Sequence, residues 1–155
     1  MSDLLPTNFV GTAGAAVQTT DGNCRVYFQN KEYQIYQMML TDPTSTTYTL
    51  QNLMTSPLPT ARINTPIAAV SWSELQEIRV YYITADSKVQ EMYFSKSGGM
   101  HKGHVLGTAV ENSAFLYAQV AVKPRLVVRV GFQSSADPKT ITEAVWDAGW
   151  KTRVL

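Results

Sequence analysis

Apolar and polar residues alternate at period two along much of the chain, most cleanly over 67–72, 78–83, 88–94, 117–122 and 126–132, where Val, Ile, Tyr and Phe recur between polar clusters. That period puts successive side chains on opposite faces of an extended backbone and predicts half-buried β-strands. The reversals between them have turn chemistry: Asp21-Gly22-Asn23, Thr84-Ala85-Asp86-Ser87, Ser97-Gly98-Gly99 and Ser134-Ser135-Ala136-Asp137-Pro138. Hardly any stretch has the spacing of a long amphipathic helix. The segment 41–66 is the least regular, with Pro43, Pro57, Pro59 and Pro66 among many Ser and Thr. It predicts an outer strand around Thr46 to Leu50 and then a long connection, because proline removes a ladder donor and is confined to sheet edges.

The alternating segments repeat. Cys-Arg-Val-Tyr-Phe-Gln at 24–29, Ile-Arg-Val-Tyr-Tyr-Ile at 78–83 and Val-Arg-Val-Gly-Phe-Gln at 128–133 each plant an arginine in a strand. Arg25, Arg79 and Arg129 recur at intervals of about 50 residues, the mark of stacked supersecondary units. Related segments lie upstream at 14–19, 67–72 and 117–122, and downstream at 34–40, 88–94 and 140–146. Each unit is therefore an antiparallel meander of three visible strands and a predicted fourth, with approximate bounds 14–60, 61–113 and 114–155 inside a single domain. The fold class predicted is all-β, made of β-propeller blades, for which rings of about 4–8 four-stranded blades are typical. Three blades leave faces and edges bare at both ends, a liability that proteins remove by covering them. Two copies joined head to tail would close a six-bladed ring as a homodimer, and a longer parent chain would do the same in one piece.

At 155 residues, the 45% hydrophobic content with eight Tyr, five Phe and three Trp suffices for a real core. Lys+Arg 13 against Asp+Glu 12 leaves a net charge of +1 and no broad basic field, so nucleic acid is not an expected partner. Cys24 is the one cysteine; it cannot form an intrachain disulfide and is expected as a small buried hydrophobe of its strand. The first ten residues lack the basic segment and apolar run of a secretory signal, and no apolar stretch nears a membrane span, which predicts a cytoplasmic chain without membrane insertion, non-classical release being left open. His101 and His104 make a His-x-x-His pair with no third ligand nearby, so neither a metal nor a cofactor is expected. Trp72, in the first strand of its unit, is expected in the core, and the methionines as strand and loop fillers.

Arg-Val-Tyr, then a turn, then Ile/Val-x-Glu, an aromatic and Gly-Trp, preceded by Ala-Ala-Val-Ser-Trp at 68–72, resembles the fungal fucose-specific lectin family of the Aleuria aurantia lectin type. The likeness runs over roughly 14–40, 67–103 and 117–153. It implies a six-bladed propeller that holds L-fucose between adjacent blades, hence a non-enzymatic lectin whose partners are fucose-containing glycans. In the family each pocket takes an arginine and a glutamate from one blade and aromatic side chains from its neighbour. The resemblance therefore implies Arg79 with Glu91, Arg129 with Glu143, and Arg25 with Gln37, where the glutamate is replaced. The first aromatic position falls on Leu40, Phe94 and Trp146, and the second near Tyr48 and Met100 and on Trp150. The neighbour relation taken from it sets Trp146 and Trp150 against Arg25 and Gln37 of another chain, Phe94 with Met100 or His101 against Arg129 and Glu143, and Leu40 with Tyr48 against Arg79 and Glu91.

These residue types suit a sugar. A monosaccharide presents hydroxyls around its edge and C–H groups on one face; arginine offers a rigid fork of donors, glutamate accepts from neighbouring hydroxyls, and an aromatic ring covers the apolar face. Other readings stand beside this one. An Arg and a Glu on adjacent strands also form a plain cross-strand ion pair that joins blades without any ligand, and a propeller with replaced site residues also serves as a protein-interaction scaffold. An enzyme on the same scaffold is disfavoured, because no Ser-His-Asp set, phosphate-cradling loop or placeable pair of carboxylates is present.

Overall fold

The computed structural model describes residues 4–7, 12–54, 57–96 and 99–155, and among them the chain forms three four-stranded antiparallel sheets and no helix. The first blade comprises β1 (Gly14–Gln18), β2 (Cys24–Gln29), β3 (Ile35–Leu40) and β4 (Thr49–Asn52). The second comprises β5 (Ile67–Trp72), β6 (Glu77–Ile83), β7 (Lys88–Ser95) and β8 (Gly99–Thr108), and the third β9 (Leu116–Ala121), β10 (Val127–Phe132), β11 (Thr142–Trp146) and β12 (Trp150–Val154). Each sheet is a simple meander in chain order, and β5 lies against both β1 and β9, so the first strands of the blades are innermost.

One outer strand differs from the sequence expectation, and another breaks the alternation of the rest. The strand expected from Thr46 begins later, at Thr49, because side chains hold the preceding residues in turns: Asp42 accepts from the N–H and Oγ1 of Thr44 at 2.9 and 2.7 Å, and Ser45 Oγ accepts from Thr47 N at 3.0 Å. β8 is the longest strand and scarcely alternates, since Gly103 and Gly107 interrupt it and its register against β7 shifts on either side of Gln90. In the turn expected at Ser97-Gly98-Gly99, Ser97 and Gly98 lie outside the described residues, and Gly99 opens β8.

Cross-strand pairing fixes which side chains share a face. Arg25 pairs with Met39 and Tyr27 with Gln37; Arg79 pairs with Tyr93 and Tyr81 with Glu91; Arg129 pairs with Val145 and Gly131 with Glu143. Arginine and acid or amide therefore occupy one face of each blade, termed forward here. Period two puts Leu40, Phe94 and Trp146 on the other, back face. The forward face of the first blade packs Val17 and Tyr27 onto Ile78, Val80 and Tyr82 of the second. The forward face of the second likewise packs Val70, Tyr81 and Ile83 onto Val128, Val130 and Phe132 of the third. Cys24 shares the back face of the first blade with Leu40, its cross-strand partner, and because no blade among the described residues covers that face it is half-buried, not buried as expected.

The loop entering β6 has three successive residues in the left-handed region, Ser73, Glu74 and Leu75, at φ 54°, 51° and 62°. Such residues are held only where the surroundings over-determine them. Here Leu75 is buried in the core between the first and second blades, and Glu74 accepts from the N–H and Oγ1 of Thr20 at 3.1 and 3.2 Å, tying the two blades together.

One packing exchange separates the third blade from the others. In the first two, a small residue on the innermost strand faces a tyrosine on the next: Ala15 opposite Tyr27 and Ala68 opposite Tyr81. In the third the sizes are reversed, with Tyr117 opposite Gly131. A Cβ on Gly131 would sit 2.6 Å from Tyr117 Oη and closer still to its ring, so the tyrosine occupies the space that glycine vacates.

Candidate functional site

Arg79 and Glu91 project from the forward face of the second blade across a cleft of about 210 Å³, and Trp146 and Trp150 of the third blade form the opposite wall. The two indoles share a face because Trp146 and Trp150 are cross-strand partners, joined by a tight reversal in which Ala148 (φ 57°) and Gly149 (φ 153°) take positive φ and Asp147 N–H donates to Gly149 C=O at 3.1 Å. Leu126 and Val128 add an apolar floor from the same blade.

Glu91 is only 4% exposed. Its Oε1 accepts from Tyr81 Oη at 3.3 Å and lies 3.6 Å from Arg79 Nε; its Oε2 accepts from His104 N–H at 3.1 Å and lies 3.3 Å from His104 Nδ1. A carboxylate has about four lone-pair positions, so capacity for ligand hydroxyls remains. Gly103 makes the placement feasible: a Cβ there would lie 2.7 Å from Glu91 Cγ and 2.8 Å from Cδ. The Arg79 guanidinium is clamped between rings, 5.0 Å from the centroid of Trp72 and 4.9 Å from that of Tyr93, while its Nη1 reaches Glu77 at 3.3 Å and the Ile78 C=O at 3.2 Å. Cation–π contact on both sides fixes the fork without using up its donors.

The neighbour relation expected from the resemblance is reversed. A forward face meets the back face of the blade that follows in the chain, so Trp146 and Trp150 serve Arg79 and Glu91 within one chain. Phe94 and Met100 instead face Arg25 and Gln37, around a cavity of about 140 Å³ that Met39 also lines. Among the described residues, no blade packs on the forward face that carries Arg129 and Glu143 or on the back face that carries Leu40. Trp72 is likewise corrected: at the end of β5, paired with Glu77, it reaches past the sheet edge to Arg79 and is half-buried in the cleft wall, with only part of it on the core. Of the histidines, His101 stacks on Tyr93 at 5.2 Å and His104 stands beside Glu91 and Trp150.

The three arginine–acid positions differ in state. In the first blade Arg25 Nη1 donates to the C=O groups of Cys24 (2.8 Å) and Leu40 (3.3 Å), and Gln37 Nε2 donates to Gln51 Oε1 at 3.2 Å. In the third blade Glu143 is saturated from within: Oε1 accepts from Arg129 Nη1 (3.2 Å) and from Arg153 Nε and Nη2 (3.0 and 2.6 Å), and Oε2 accepts from Tyr117 Oη (3.0 Å). Arg153 pairs across the sheet with Glu143, in the place where the second blade has Gly103.

Burial works to raise the Glu143 pKa, but the hydrogen bonds from Arg153, Tyr117 and Arg129 outweigh it and hold the carboxyl below its ordinary 4.5. A carboxyl depressed in the folded state stabilises the fold above its unfolded pKa and loses that contribution as pH falls through the folded value. Chemical denaturation from pH 7 downward is therefore expected to show a decline setting in around pH 4.5 and continuing below it, and Glu143→Gln is expected to flatten that part of the profile; an unchanged profile would count against the arrangement.

Tyr93 and Trp72 were not expected at the cleft, although period two from Glu91 already puts Tyr93 on its face. Gly103 and Arg153 carried no sequence signal, and His104 stood out only as half of a His-x-x-His pair and not as a neighbour of Glu91, because their positions depend on the bulged register of β7 with β8 and on the length of the turn before β12.

Comparison with known proteins bears on the fold and the family. The model of the family described as fungal fucose-specific lectin matches residues 9–154. A fucose-specific lectin of Aspergillus oryzae is 31% identical over 144 residues, 90% of this chain and 44% of its own length. The six-bladed β-propeller lectin of Aleuria aurantia superposes with a TM-score of 0.75 at 26% identity, over 96% of this chain and 50% of that one. A fucose lectin of Kordia zhangzhouensis, solved with methyl-fucoside, shares the fold at TM-score 0.62 and 17% identity, over 92% of this chain and 97% of that one. This chain thus spans about half the length of the fungal relatives and nearly the whole of the shorter one. On these grounds it belongs to the fungal fucose-specific lectin family.

Proposed function

We propose that the chain binds L-fucose or fucosylated glycans in the cleft between the second and third blades, without converting them chemically. One observation carries the reading: the Arg79 and Glu91 pair of one blade and the Trp146 and Trp150 pair of the next form opposite walls of a single cleft. The polar wall suits ring hydroxyls and the indoles suit a C–H face; the methyl group of a 6-deoxy sugar suits the apolar Leu126 and Val128. Each hydrogen bond replaces one to water, so a single site should be weak, on the order of 1 kcal/mol per neutral bond and more for bonds to charge, and affinity for multivalent glycans should rise with the number of sites per assembly.

Isothermal titration with L-fucose tests this. The expected result is one dominant site per chain, lost on Trp146→Ala. No heat at millimolar sugar, or a Trp146→Ala variant that binds like the parent, would remove the proposal, and turnover of nitrophenyl glycosides would remove its non-enzymatic part.

The uncovered forward face of the third blade and back face of the first support closure of the ring by a second copy, with Arg129 and Glu143 meeting Leu40 of the partner. Light scattering is expected to give twice the mass of one chain. A mass of one chain would reject closure by a second copy in favour of further repeats in a longer parent.

A further inference from the structure

The three repeat arginines are not electrically equivalent. Arg79 lies 3.3 Å from Glu77 and 3.6 Å from Glu91, and Arg129 lies 3.2 Å from Glu143. Among the described residues Arg25 has no carboxylate within ion-pair distance; its recorded bonds are to two backbone carbonyls. Gln37, 6% exposed, stands where the other blades bury a glutamate. The missing charge leaves a second trace. Tyr81 and Tyr117 donate their hydroxyls to Glu91 and Glu143, whereas Tyr27 Oη, opposite Gln37, is buried without a partner among the described residues. Two adjoining cavities of about 140 and 240 Å³ meet at Arg25 and Phe94. Lys96 lines the larger one, and its acidic residue, Glu74, is already bonded to Thr20.

We propose that the first junction, between the first and second blades, takes an acidic monosaccharide, a hexuronate, with its carboxylate on the Arg25 guanidinium and its ring face on Phe94. The inference rests on the reading of the blade junctions as sugar sites and differs from it in the ligand. A planar carboxylate matches the guanidinium fork in a bidentate, charge-assisted pair. At the other two positions the protein's own glutamate occupies that role and repels such a ligand, so the same replacement that weakens a neutral-sugar site admits an anion. Partial burial lowers the local dielectric and strengthens the pairing.

The test uses the full chain with Arg79→Ala, which silences the second junction, titrated with D-galacturonate and with D-galactose, two probes that differ only at C6. Galacturonate is expected to bind at least about tenfold more tightly, the difference that one charge-assisted bond contributes, and to weaken as salt is raised. Arg25→Lys keeps the charge without the fork and is expected to lower galacturonate affinity several-fold. Gln37→Glu supplies Arg25 with a partner and Tyr27 with an acceptor, and is expected to erase the preference in a folded protein. Equal affinity for the two probes, no galacturonate binding at tens of millimolar, or indifference to Arg25→Lys and Gln37→Glu overturns the proposal. L-fucose titrated into the unaltered chain reports the second junction separately, so failure of either site is recognised without reference to the other.

Discussion

Replacing Glu91 by Gln is expected to weaken L-fucose binding by about a hundredfold, because bonds from sugar hydroxyls to a charged acceptor contribute about 1.5–3 kcal/mol each and the amide retains one acceptor oxygen and no charge. The carboxylate is buried and already oriented by Tyr81 and the His104 N–H, so little ordering cost is left for the ligand to meet. Gly103→Ala should produce a comparable loss while leaving Glu91 intact, since the added methyl would occupy the position of the Glu91 side chain. The two changes act through one group, so the double variant should be little worse than either alone, an interaction that a double-mutant cycle by calorimetry measures directly. Additive losses would mean that Gly103 acts elsewhere, and an unaltered affinity in Glu91→Gln would take the carboxylate out of the site. Thermal melting of each variant separates lost binding from lost fold.

The second large effect concerns stability. Gly131→Tyr alone inserts a ring into space that Tyr117 fills and is expected to destabilise by about 3 kcal/mol or more through overpacking. Tyr117→Ala alone should cost about 2–3 kcal/mol through the cavity and the lost bond to Glu143. Together they restore the arrangement of the first two blades, tyrosine on the second strand opposite alanine on the first, and should recover most of the loss, with a coupling energy above about 2 kcal/mol. Urea unfolding at fixed protein concentration is the measurement. A double variant as unstable as the sum of the two would show that the exchange is not a local trade of volume.

The strands were legible because arginine-bearing segments recur with the alternation of half-buried sheets, and period two puts Glu91 and Tyr93 on one face, to which the pairing of β6 with β7 adds Arg79. The order of blades was not legible. Nothing in the spacing of Arg79 and Trp146 says whether a face points to the blade before or after it; that follows from the hand in which successive sheets stack, a property of backbone twist and not of side-chain pattern. The result moved Trp146 and Trp150 from an expected intermolecular pocket to an intramolecular one. Trp72 departs from its expected core position for a related reason. A tryptophan in an innermost strand is usually core, but at the last residue of β5 it has sheet on one side only and turns to the guanidinium of Arg79. The place of Arg153 is not legible because the sequence gives no register for a strand that follows so short a reversal.

Each blade has unlike faces, so a closed ring of them has a direction. A torus assembled from two identical halves by a twofold axis has two joints that are copies of one another, each uniting the trailing edge of one half with the leading edge of the other. Were two copies of this chain to close such a torus, any alteration of Leu40 or Arg153 would be written twice into the assembled object by a single codon, and the lectin would gain or lose valency in steps of two.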